Sequence, residues 1–424
     1  MPDQDPSGPR DARDDRAGVE ARATRRDDDA RARPRDRART EGAHPDKGAG
    51  RKRSRGGRGR NRNARKGRHG DGGKPSPAFA AVDLGTNNCR LLIARPTPHA
   101  KRGMRVIDSY SDVVKLGEGL ASTGRLSERA MDAAVDALKV CAEKIQKRET
   151  TAWRCVATQA CRQAENGEEF LARVREEVGM KLELISPRIE AKLSVIGCMN
   201  LVDTSKQVAL VVDIGGGSTE LSWVDVRKLG KNPTKNTKPP ISAWASLPVG
   251  VATLSEMYPE HDDRATWYAD MKAHVRRCIL EQKCETRFTQ AFRQGRGHII
   301  GTSGTITSLA GVHLGLPFYQ RKRIDGLWMP TSNAVEIARD LASRDIVGRA
   351  SVPSIGEDRA TLLVAGCAIM DVLCEIWPGE RIRVADRGLR EGILVGLMSR
   401  HAKPAKPVRV GRAPASKRTS EEEE

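Results

Sequence analysis

Long hydrophobic runs are absent from this 424-residue chain. Its longest uncharged apolar stretch, residues 360–370, is too short to span a bilayer, which argues against a membrane protein. The nine cysteines are odd in number and never spaced Cys-x-x-Cys, so neither a zinc site nor a disulfide framework is indicated. Most of them sit in apolar stretches, as buried free thiols do. The eight histidines form no metal-ligand cluster. No Gly-x-x-x-x-Gly-Lys occurs, which argues against a P-loop nucleotidase. Aromatic residues amount to only 4%, and residues 1–77 contain none.

Charge of one sign is abundant where aromatics are missing. Of the formal net charge of +19, residues 1–77 supply +10, from 23 basic and 13 acidic side chains. That stretch lacks the aliphatic content needed to offset the entropy of ordering, and it also lacks the apolar core of a secretory signal. The sequence therefore predicts a cytoplasmic protein with a disordered basic tail over 1–77, lobes over 78–205 and 206–400, and a disordered end over 401–424. Between Arg51 and Arg68 lie ten basic residues and no acidic one, similar to arginine/glycine segments that bind RNA. Without stacking aromatics, a solvated tail with non-specific RNA or polyanion affinity is the preferred reading. Residues 78–400 are only mildly basic, with 45 basic and 38 acidic side chains.

Glycine is where the sequence becomes specific. A buried-strand pattern, Val208–Val212, delivers Asp213 into three glycines, Gly215, Gly216 and Gly217, followed by Ser218, Thr219 and Glu220. Such a turn permits close backbone approach and can form an N–H nest for phosphate. A glycine hairpin with solvated acids explains the same residues, until the pattern recurs. At Phe79–Arg90 a second apolar strand ends in Asp83-Leu84-Gly85-Thr86-Asn87, with Arg90 downstream. A third turn of this kind, Gly301-Thr302-Ser303-Gly304-Thr305, lies between an expected strand and an expected helix, whose N-terminus favours anions. Together the three turns imply two related lobes clasping a phosphate chain. Strands are expected over 79–82, 90–94, 104–116, 153–157, 181–185, 208–212, 221–226, 241–246, 298–300 and 381–384. Helices are expected over 127–147, with Ser127 as N-cap, and over 168–178, 189–199, 263–282, 305–314, 332–343, 358–375 and 389–401. Strand meanders alternating with helices give an α/β protein.

Residues 78–400 resemble the exopolyphosphatase/guanosine pentaphosphate phosphohydrolase (Ppx/GppA) family. The segments that carry the resemblance are Asp83–Arg90, Ala157–Arg162, Glu190-Ala191-Lys192-Leu193, Asp213–Glu220, Pro248-Val249-Gly250, Gly304-Thr305, Glu357–Ala360 and Gly388–Gly392. Two departures stand out: Ile189 and Pro187 occupy the approach to Glu190, where relatives usually have a second glutamate after a glycine-containing turn. The chain also ends soon after Gly392, like the short, two-domain members. The resemblance implies two similar actin/sugar-kinase/Hsp70-like (ribonuclease H-like) lobes with a cleft between them.

It also implies a chemistry. Glu190 would be the catalytic base that orients and deprotonates water. Substrate phosphates would be held by Gly85, Thr86, Asn87, Gly215, Gly216, Gly217, Ser218, Gly304 and Thr305, with Arg90, Arg162 and Arg359 adding guanidinium contacts. Asp83, Asp213 and Glu220 are the hard-oxygen candidates for Mg²⁺ or another divalent cation. The expected substrate is inorganic polyphosphate, with guanosine pentaphosphate as the alternative; a second copy of the chain is an expected partner, as a homodimer. An ATP-dependent kinase or ATPase of the same superfamily, and an RNA-binding protein on a vestigial enzyme fold, are the competing classes.

Overall fold

A computed structural model describes residues 76–97, 103–230, 237–284 and 286–402. The expectations for the two terminal tails fall almost wholly outside them.

Among the described residues eleven strands form two sheets. The first contains β1 (Phe79–Leu84), β2 (Asn88–Pro96), β3 (Met104–Val113), β4 (Ala152–Ala157) and β5 (Leu182–Leu184), in the order β3-β2-β1-β4-β5. The second contains β6 (Val208–Ile214), β7 (Thr219–Asp225), β8 (Ile241–Leu247), β9 (Gly297–Thr302), β10 (Trp328–Pro330) and β11 (Arg381–Ala385), in the order β10-β11-β9-β6-β7-β8. In each sheet a three-stranded antiparallel meander continues into two parallel strands. The second sheet is thus the first repeated, with β10 added at one edge. The two related lobes expected from the sequence are present, each built on the same sheet plan.

The central strands β1 and β6 are apolar along their length because helices cover both faces. Side chains alternate between those faces. Ala80, Val82 and Leu84 enter one core with the Glu128–Lys147 helix, while Phe79 and Ala81 meet Leu389 and Ile393 on the other side. Likewise Leu210, Val212 and Ile214 enter the large core of the second lobe, while Ala209 and Val211 pack with Val195 and Cys198. The same parity carries Asp83 and Asp213 to the faces covered by two helices, Pro187–Cys198 and Leu389–His401. All nine cysteines are buried, as their apolar settings suggest. No helix among the described residues is long and apolar enough to cross a membrane.

Sequence periodicity finds most long elements but misses short ones. Gln159–Gln163, Val251–Met257 and β10 are only five, seven and three residues long, too short for a window of periodicity to register. Sequence order also hides where the last helix belongs. Leu389–His401 follows the second sheet but packs its apolar side on β1 of the first. It does so by crossing the Pro187–Cys198 helix at glycines: a Cβ on Gly197 would overlap the Gly388 carbonyl, and one on Gly392 the Leu193 carbonyl. Gly392→Ala should therefore destabilise the fold by about 1–3 kcal/mol through overpacking, read as a lowered midpoint in thermal unfolding; an unchanged midpoint would show that the crossing tolerates a methyl group.

Candidate active site

The β1–β2 and β6–β7 turns are built alike. The Gly85 N–H donates to the Asn88 carbonyl at 2.9 Å, and the Gly215 N–H to the Ser218 carbonyl at 2.8 Å. Register places Asp83 opposite Arg90 and Asp213 opposite Glu220. The turns then meet face to face. A Cβ on Gly216 would lie 2.9 Å from the Thr86 Cβ and 3.3 Å from the Asn87 nitrogen; one on Gly217 would overlap the Gln159 amide oxygen.

The short Val251–Met257 helix orients the second turn. Val251 N–H donates to the Gly215 carbonyl at 2.9 Å, and Ala252 N–H to the Gly216 carbonyl at 2.7 Å. Because a trans peptide points its N–H opposite its carbonyl, the Gly216 and Gly217 N–H groups face away from that helix. Both residues line a cavity of about 390 Å³ formed by elements of the two lobes.

Of the residues singled out from sequence, Asp83, Gly85, Thr86, Asn87, Arg90, Glu190, Asp213, Gly215, Gly216, Gly217, Ser218, Gly304, Thr305 and Arg359 all line this cavity. Two do not. Glu220 is buried and accepts hydrogen bonds from Ser218 Oγ at 2.8 Å and Ser246 Oγ at 3.0 Å. Arg162 stands behind Glu190: one Nη1 donates to the Glu190 carboxylate at 3.0 Å and to the Ile185 carbonyl at 2.8 Å. Its structural partner is thus the expected base, and it reaches the cavity only through that carboxylate.

Glu190 owes its place to a well-made helix start. Ser186 caps the helix by accepting from Ile189 N–H, and Pro187 occupies the first turn, where its missing N–H is harmless. The unusual Pro187 and Ile189 therefore leave this start intact, and Ile189 is solvent-exposed. One turn further on, Ser194 Oγ donates to Asp213. A single helix thus places Glu190 on the cavity wall and anchors Asp213 of the other lobe.

The electrostatics reflect crowded, desolvated acids. Burial raises Asp83 to about 6, with Arg390 and Arg90 pulling down and Asp213 pushing up. Burial also raises Asp213, and takes Glu220 to about 7 with Asp213 adding to the effect. Glu190 is held well above the usual carboxylate range, first by burial and then by Glu220, against Arg162. Arg90 is lowered by burial and by neighbouring Arg390, and raised by Asp83. Such a mixed cluster in a cleft is suited to binding a polyanion and moving a proton.

Residues 92–401 match the model of the Ppx/GppA phosphatase family. The chain belongs to that family. A guanosine-5′-triphosphate,3′-diphosphate pyrophosphatase of Aeromonas salmonicida is 27% identical over 324 residues, which cover 76% of this chain and 60% of that relative. An exopolyphosphatase-like protein of known crystal structure is 28% identical with a TM-score of 0.65, over 76% of this chain and 99% of that one. The Aquifex aeolicus PPX-GPPA enzyme is 26% identical with a TM-score of 0.61, over 76% of this chain and all of that one.

Several residues of this site were not singled out from the sequence. Gln159 accepts from Thr86 Oγ1 at 3.2 Å, Ser308 accepts from Arg359 at 3.0 Å, and Ser194 holds Asp213. Only the helical spacing of Ser194 from Glu190 hinted at a shared face.

The Arg162–Glu190 pair generates a pH test. A base with a raised pKa loses activity on the acid side at higher pH than an ordinary glutamate, because its working form is deprotonated. Arg162→Gln removes the charge that favours that form, so the acid limb of phosphate release should move to still higher pH. A raised KM with an unmoved acid limb would instead make Arg162 a substrate contact.

Proposed function

We propose that the chain hydrolyses terminal phosphoanhydride bonds, releasing orthophosphate from the end of inorganic polyphosphate. The observation that carries this reading is the Glu190 carboxylate, fixed by Arg162 on the wall of the cavity that the glycine turns also line. Water attacks the terminal phosphorus while Glu190 takes its proton. The bond from that phosphorus to the bridging oxygen breaks, and the chain leaves one phosphate shorter. N–H groups of the Gly85 and Gly215–Ser218 turns, with Arg90 and Arg359, stabilise charge on the phosphoryl oxygens.

A divalent cation such as Mg²⁺ fits the two aspartates. Among the described residues no group of three His, Cys, Asp or Glu is placed to cage a metal. Mg²⁺ does not require one, since it takes one or two carboxylates and completes its shell with water and phosphate oxygens. Asp83 and Asp213, both on the cavity wall, would hold it; Glu220, engaged with two serines, would act only through its charge. When bound, the cation would neutralise phosphate charge.

Guanosine pentaphosphate is the second reading, favoured by the name of the Aeromonas relative. Both substrates present the same terminal anhydride to the same residues. Residues 51–68 would add affinity for either polyanion through charge alone.

Glu190→Gln keeps the shape and removes the base, so kcat should fall by roughly 10² to 10⁴-fold with little change in KM. Undiminished phosphate release in that variant would sink the assignment. Wild-type rates on polyphosphates of graded length, beside guanosine pentaphosphate, rank the two substrates; a nucleotide preference of about tenfold or more would put guanosine pentaphosphate first.

A further inference from the structure

Ser303 joins β9 to the Gly304–His313 helix with a backbone that serine rarely adopts. Its φ is 94° and its ψ −176°, a region almost reserved for glycine. The other positive-φ non-glycine residues among those described have φ between 47° and 56°, the range of the ordinary left-handed region. The strand end that leads into Ser303 is pinned. Thr302 Oγ1 donates to the Arg387 carbonyl at 2.6 Å, and a Cβ on Gly301 would come within 2.9 Å of the Ile306 side chain. The chain must pass from strand to helix on this one residue.

Glycine would adopt that conformation without strain, whereas serine adds a hydroxyl. The Ser303 Oγ is buried and has no protein partner, although Ser303 lines the phosphate-type cavity. A buried hydroxyl left unpaired is unfavourable unless a ligand completes it. Beside it, Gly304 has no atom within 4 Å of where a Cβ would stand.

We propose that Ser303 is a substrate-binding residue whose hydroxyl donates to a non-bridging oxygen of the phosphate chain. The inference rests on reading the cleft as a phosphoanhydride site. It makes Ser303 a point where backbone strain persists for the sake of a ligand contact, rather than a feature of packing.

The test uses tripolyphosphate binding by titration calorimetry, with thermal midpoints, on the full chain. Ser303→Ala should lose about tenfold or more in affinity, the usual scale for a hydrogen bond to a charged group, with a midpoint near wild type. Ser303→Gly should lose similar affinity while its midpoint rises by a few degrees or so, as strain is relieved. Affinity within about twofold of wild type in either variant overturns the proposal. So does an affinity loss accompanied by a lowered midpoint in both, which would mark Ser303 as structural. A wild type that binds tripolyphosphate without releasing orthophosphate would instead defeat the hydrolase reading, and the Ser303 comparison would still be decided by binding.

Discussion

Two glycine turns touch across the cleft because the second presents no side chain of its own at Gly216 and Gly217, and the rest of the site depends on that contact. Gly216 lies against Thr86 and Asn87, and Gly217 against Gln159, at separations that leave no room for a methyl group. A side chain at either position would wedge the lobes apart. Closing the turns this far leaves backbone N–H groups as the cavity lining, which suits close approach of phosphate oxygens. The acids nearby are themselves buried, and Asp83 and Glu220 are raised by that burial before any neighbouring charge.

The second constraint is the helix crossing at Gly197 and Gly392. Backbone-to-backbone contact there fixes the Pro187–Cys198 helix between the lobes, and with it the positions of Glu190 and Ser194. Glu190 is therefore part of a rigid element, with its carboxylate restrained by Arg162. Positioning of this kind is what general-base catalysis requires.

Clustering acids in this way has a definite sign for stability. Carboxyls whose folded pKa lies near 6 or 7 bind protons more tightly than the same groups in the unfolded chain. Their contribution to stability is full below about pH 4, the unfolded range, and is lost as pH rises through their folded values. The site is thus less stable at neutral pH than its shape requires. A cation or an arginine-compensated phosphate would offset that repulsion, and Ser303 adds backbone strain of its own. Local rules broken together in one cavity mark a functional site.

Much of this was legible in the chain as written. Repetition of an apolar strand ending in Asp-x-Gly, at Asp83 and Asp213, reveals two related lobes because both strands must be buried on both faces. Backbone demands are local, so the glycines identify themselves. Less legible are residues whose role depends on a distant partner. Arg162 reads as a phosphate contact but pairs with Glu190; Glu220 reads as a metal ligand but sits behind the wall with Ser218 and Ser246. Ser194 and Ser308 carry no motif at all, and Gln159 lies in a segment of which only Arg162 was singled out. The last helix follows the second lobe in sequence yet packs on the first. Strand periodicity, turn chemistry and the repeated plan are written in the chain, because neighbours along it set them. Which carboxylate faces the cavity, and which arginine serves it, emerged only when the two lobes closed, because desolvation and ion pairing act between residues far apart in sequence.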